Sequence, residues 1–138
     1  VTTHPASGSA PTLPEIRHII EESLARYTQA MDNQDAETAA TLLTDAELHF
    51  KDNPPVQGHR DVAGFFATAF PNPSRTRHLV SNLIIEAGTN CIEYRAVYQR
   101  WSVADPTSPL CEALGHYAGR FTPGAAGLIW SEHRVITS

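Results

Sequence analysis

Apolar residues recur along the first part of the chain at i, i+3, i+4 and i+7: Ile16, Ile19, Ile20, Leu24, Tyr27, Ala30 and Met31. That is one face of a helix, and it predicts a helix running to about Met31. Thr12 with Glu15 three residues on forms a capping-box pattern, and Pro14 suits a first turn. Arg17, Glu21, Glu22 and Arg26 fall on the wet side. Asp35 is placed to cap a short second helix over 36–43, and 46–51 reads as a short strand. Two prolines and a glycine in 52–58 exclude a central strand there. Val62, Phe65, Phe66, Ala69 and Phe70 stripe a third helix over 59–70, stopped by Pro71 and Pro73. The remainder is strand-like: 76–86, 91–101, 110–121 and 128–136, joined by turn-rich connections. Strict alternation in the first of these puts His78, Val80, Asn82 and Ile84 on one face. Leu79, Ser81, Leu83 and Ile85 take the other, an apolar second face that suggests a homodimer interface.

Helices first and strands afterwards indicate an α+β domain with an antiparallel meander. Such a sheet, strongly twisted, can curl around a cavity closed by the helices. Residues 1–11 are small, polar and proline-containing, and read as a disordered tail before a domain over 12–138.

Composition narrows the function more than the fold. The chain has 138 residues, is 41% hydrophobic and 18% charged, and carries a net charge of -5. This balance, with no basic run, argues against a nucleic-acid partner. No apolar run is long enough to span a bilayer and no signal-peptide pattern opens the sequence, so a cytoplasmic location and no membrane partner are expected. Cys91 and Cys111 lie in strand-like stretches and read as buried, inert thiols. Glu47 and His49 share a strand face with His59 nearby in sequence, but no further residue has ligand spacing, so no metal is expected. His116, Glu132 and His133 read as surface or pocket-mouth residues. There is no phosphate loop, nucleophile elbow or Cys–His pattern, and no cofactor is implied.

Several segments, in order, resemble SnoaL-like proteins of the nuclear transport factor 2-like superfamily. Arg26-Tyr27-Thr28-Gln29-Ala30-Met31-Asp32-Asn33-Gln34-Asp35 is similar to the end of their first helix, and Leu42-Leu43-Thr44-Asp45-Ala46 to the approach to their first strand. Gly58 matches a turn before the third helix, and Arg77-His78-Leu79-Val80-Ser81-Asn82 an "R-H-x-x-S-N" strand. The resemblance spans most of 14–136. It implies a cone-shaped, curved, antiparallel or mixed sheet, with three N-terminal helices enclosing an apolar pocket. Superfamily members include scytalone dehydratase, ketosteroid isomerase, limonene epoxide hydrolase, polyketide cyclases and bile-acid 7α-dehydratase, so the fold implies a pocket and not one reaction.

The dehydratase branch carries an Asp at the end of the first helix and a His on the strand after the third; Asp32 and His78 match these positions. Tyr27 precedes Asp32 as a tyrosine does in the bile-acid enzyme. The tyrosines that polarise a carbonyl in scytalone dehydratase correspond to Met31 and Phe50 here. A carboxylate accepting from one imidazole nitrogen fixes the tautomer and leaves the other for proton transfer.

The expected function is therefore cofactor-independent acid/base catalysis: a dehydratase, isomerase or cyclase acting on a polyketide-, steroid- or aromatic-type small molecule. Asp32, His78 and Tyr27 would be catalytic. Asn82, Phe50, Phe65, Phe66, Val80 and Tyr98 would line the pocket. The alternative is a non-catalytic binding or assembly module of the same fold. Epoxide hydrolysis needs an Asp–Arg–Asp-type set that the sequence does not display.

Overall fold

The computed structural model describes residues 10–70 and 75–137. Residues 1–9 of the expected 1–11 tail and the helix-stopping prolines 71 and 73 lie outside the described residues. Helix α1 spans Leu13–Asp32. Thr12 and Glu15 form the reciprocal capping box expected of them, an arrangement worth about 1 kcal/mol. The helix ends in a Schellman turn: the N–H of Asp35 reaches the carbonyl of Ala30 and that of Gln34 reaches Met31. Gln34 holds the left-handed position, at φ 51. Asp35 then caps α2, Ala36–Leu42, through the N–H of Thr38.

Strand β1 is Glu47–Phe50, β2 is Val56–Gln57, and α3 is His59–Ala69. The two-residue β2 falls in the proline-rich segment and is an edge strand, which the prolines permit. Four long strands follow: β3 Thr76–Gly88, β4 Cys91–Ser102, β5 Leu110–Gly124 and β6 Gly127–Thr137. The sheet runs β2-β1-β6-β5-β4-β3 and is open, with β1 parallel to β6 and every other pairing antiparallel. The mixed, curved sheet with three helices packed on one face is the architecture expected.

The inner face of the sheet meets α1 and α3 through Ile20, Leu24, Tyr27, Leu48, Val62, Phe66, Tyr117, Phe121 and Trp130, all buried. Tyr94 and Tyr98 on β4 lie directly opposite Gly119 and Gly115 on β5. A β-carbon at Gly115 would stand 2.6 Å from the Tyr98 ring, and one at Gly119 would stand 2.5 Å from the Tyr94 hydroxyl. The two glycines thus let the aromatic rings lie across β5, and Tyr98 stacks on Tyr117 with ring centres 4.5 Å apart.

Three bulges interrupt strict alternation. In β3 the register shifts between Ser81 and Ile84, with Asn82 at φ 57. In β5 Glu112 is the extra residue opposite Arg100/Trp101, and in β6 Ser131 is extra opposite Arg120/Phe121. Each extra residue exchanges the two faces of the strand beyond it. After the first bulge Leu83 and Ile85 turn toward the core and Ile84 turns outward, the reverse of the alternation expected from the sequence. Cys91 is only partly buried and Cys111 is exposed near the start of β5, correcting the expectation of two buried thiols.

Candidate functional site

The end of α1 meets the edge strand β3 at Asp32. Its carboxylate accepts the ring Nδ1–H of His78 at 2.6 Å, the backbone N–H of His78 at 3.0 and 3.2 Å, and the Thr76 hydroxyl at 3.3 Å. An ionised carboxylate only accepts, so this set of donors places the ring proton on Nδ1 and leaves Nε2 as the second nitrogen. Both side chains are nearly enclosed, at 12% exposure for Asp32 and 11% for His78. A negative side chain at a helix C-terminus opposes the helix dipole, and these hydrogen bonds hold it there. The apolar stripe of α1 does not point to this contact. The flank of the helix carrying Thr28 and Asp32 is covered by β3, and Arg17 donates to the carbonyl of Leu83 further along the same seam.

His78 lines a cavity of about 520 Å³ between the ends of α1 and α3 and the adjoining strands. Its apolar wall comprises Met31, Phe50, Phe66, Ala69 and Phe70. Arg100, which also lines it, is the cross-strand partner of His78 and therefore projects from the same face beside it. Glu112, displaced by its bulge, reaches the same space and stands 3.8 Å from the Arg100 guanidinium. Lys51, Arg75, Thr76, Gln34, Ser102 and Ala104 complete the lining.

Of the residues expected in this site, Asp32, His78, Phe50 and Phe66 are brought together. The others are not. Tyr27 is wholly buried, edge-on to Phe66, Tyr117, Trp130 and His133. Burial among other tyrosines pushes its hydroxyl pKa far up, so it packs the core rather than facing the cavity. Asn82 is exposed because its bulge removes it from the His78 face. Phe65 packs behind the wall against Phe50 and Phe66. Val80 joins the core, and Tyr98 lies under His78, with ring centres 6.5 Å apart, without lining the cavity. Alternation along β4 puts Arg100 on the same face as Tyr98, a weak signal, whereas Arg75, Lys51 and Glu112 carry no signal of their own in the sequence.

His133 was expected near the surface, yet it is fully buried. The Ser131 bulge moves the core-facing positions of β6 from Leu128 and Trp130 to His133 and Val135. Its Nδ1 lies 2.7 Å from the Tyr94 hydroxyl, which also accepts the Trp130 indole N–H at 2.9 Å. Its Nε2 has no hydrogen-bond partner among the described residues. Burial drives its pKa down to about 3 and pushes the Tyr94 hydroxyl up.

On the outer face, Glu132 joins Glu47 and His49, and their ligating atoms lie within 4.8 Å of one another. The parallel β1–β6 pairing creates this trio, which spacing along the chain does not reveal. His49 is hydrogen-bonded to Glu47, and the Arg134 guanidinium donates to Glu132 at 3.1 Å, so both carboxylates already have side-chain partners.

Helices over an open curved sheet, with a carboxylate–imidazole pair at a cavity wall, define a class of small α+β pocket proteins. The family model for the SnoaL-like domain matches residues 14–130, and the chain belongs to that family. No curated protein matches the sequence. Among solved structures, ActVI-ORFA from Streptomyces coelicolor is similar with a TM-score of 0.78 at 15% identity, over 89% of this chain and 97% of that one. A candidate dehydratase of the NTF2-like family from Streptomyces avermitilis has a TM-score of 0.71 at 13% identity, over 92% and 99%. A candidate scytalone dehydratase from Novosphingobium aromaticivorans has a TM-score of 0.69 at 19% identity, over 91% and 85%. These likenesses show the fold. Among the described residues, no helix is long and apolar enough to cross a membrane.

Proposed function

We propose that this protein is a cofactor-independent acid/base enzyme, a lyase or isomerase of the dehydratase or cyclase kind, acting on a small, largely apolar polyketide-, steroid- or aromatic-type metabolite. The observation that carries the reading is the 2.6 Å hydrogen bond from His78 to Asp32 at the cavity wall. With Nδ1 engaged, Nε2 removes a proton next to a carbonyl and, once protonated, returns it to a leaving hydroxyl or to another carbon. Asp32 holds the tautomer and stabilises the imidazolium. The apolar wall orients the substrate and excludes water from the reacting carbon.

The test uses 3-hydroxy-1-tetralone, whose loss of water and tautomerisation give 1-naphthol, together with a β,γ-unsaturated ketosteroid for isomerisation. Turnover of either by the native protein is expected to fall by about 10²-fold or more in His78→Ala and Asp32→Asn. Equal rates in the native protein and both variants would remove the dyad from the chemistry.

The outer face of the sheet supports a homodimer in this reading. Leu79, Leu114 and Ile136 are about half exposed there, and Leu79, Gln99 and Leu114 form one cross-strand row. Sedimentation equilibrium of the native protein and Leu114→Lys tests it: a dimer that becomes a monomer is expected, and a native monomer refutes it.

A further inference from the structure

The charge in the cavity runs against the charge of the chain. The protein has 15 acidic and 10 basic side chains, yet the cavity is lined by Lys51, Arg75 and Arg100 with Glu112 as the acid among them. The three cations come from three places in the fold: the end of β1, the approach to β3, and β4. Glu112 stands 3.8 Å from the Arg100 Nε, a separation beyond hydrogen-bond reach. Among the described residues, no carboxylate pairs with Lys51 or Arg75; the Lys51 ammonium lies 5.5 Å from the centre of the Phe50 ring instead. Asp32 keeps its negative charge, but its carboxylate is turned onto three groups of β3 and does not line the cavity, so the lining itself carries three cations against one acid. Cations left short of partners at the rim of an apolar cavity focus a positive field into it.

We infer that the ligand of this cavity is an anion: an aromatic or alicyclic carboxylate whose ring lies on Phe50 and Phe66 and whose acid group is held by Arg100 with Lys51 and Arg75. The inference rests on the cavity being the substrate site of the proposed function, and it names the class of substrate. Arg100 sets the distance between the acid group and the reacting carbon, because it projects beside His78 from the neighbouring strand.

The experiment is calorimetric binding of a matched pair, 2-naphthoate and 2-naphthamide, which share a ring system and differ in charge. Naphthoate is expected to bind about tenfold or more tightly than the amide, the usual worth of a charge-assisted hydrogen bond, and to weaken as sodium chloride rises from 20 to 200 mM (about a threefold fall in Debye length). The preference is expected to disappear in the Lys51→Met/Arg75→Met/Arg100→Met protein, to survive in Arg100→Lys, and to be unchanged in Arg95→Met on the opposite face of the sheet. Circular dichroism establishes that each variant folds. Equal or tighter binding of the amide, a preference intact in the triple variant, or no saturable binding of naphthoate overturns the inference. The readout is binding without turnover, so failure of the Asp32–His78 chemistry leaves it standing, and its own failure leaves the dyad test standing.

Discussion

Acidification offers the sharpest test of the packing around His133. Its ring is enclosed by Tyr27, Tyr117, Trp130 and Tyr94, with no ion-pair partner among the described residues. In the folded protein burial holds its pKa at about 3, against an ordinary 6.5 when the chain is unfolded. Between those values the unfolded chain binds a proton that the native state refuses, so stability from this residue is intact above pH 6.5 and drains away as pH falls toward 3. From pH 7 to pH 5 the loss is about 2 kcal/mol, or roughly 6–8 °C in melting temperature for a domain of this size. Urea unfolding at both pH values, for the native protein and His133→Gln, isolates the contribution. Carboxylates and exposed histidines titrate in both proteins, so they cancel in the difference. The native protein's advantage over the variant is expected to shrink by about 2 kcal/mol at pH 5. An advantage that is the same at both pH values would refute the reasoning.

Three further outcomes follow from the packing. Tyr94→Phe strips His133 Nδ1 of its partner and weakens the hold on the Trp130 indole; a loss of about 1–3 kcal/mol is expected in thermal or urea unfolding. Gly119→Ala forces a methyl group against the Glu132 carbonyl and the Tyr94 hydroxyl, with a loss of about 1–3 kcal/mol or more, whereas Gly64→Ala on the exposed side of α3, where nothing lies within 4 Å, gains about 0.4–1 kcal/mol; the opposite signs of the two melting shifts are the check. Thr12→Ala removes the capping box of α1 and lowers stability by about 1 kcal/mol in the same measurement.

The helices were legible because each carries its own period and its own cap: Thr12 and Asp35 cap helices where the sequence places them. The order of the long strands was legible for the same local reason. Which face a strand residue takes was not, wherever a bulge intervened. A period of two counts residues, and a bulge adds one without any change in composition, so Asn82 was expected inside and His133 outside when the structure has the reverse. Asp32 became a candidate through resemblance, since helical periodicity alone puts it well away from the apolar stripe; the contact depends on β3 covering that flank, a pairing between residues 46 positions apart. The cavity's cations come from three separated segments, and only the folded sheet makes Arg100 the neighbour of His78.

The carboxylate of Asp32 grips both the ring and the main chain of the same histidine. The tool that aims the imidazole is also the rivet that fastens an edge strand to the end of a helix. A substitution at Asp32 therefore acts twice, on the orientation of a nitrogen and on the seating of the strand that carries it. Asp32→Asn, which keeps one oxygen for the backbone N–H, separates the two effects, while Asp32→Ala merges them. An acceptor is needed at this corner to retain the fold whatever the function, so under the proposed proton-transfer role an Asn here with a replaced His78 would mark a relative that kept the architecture without that role.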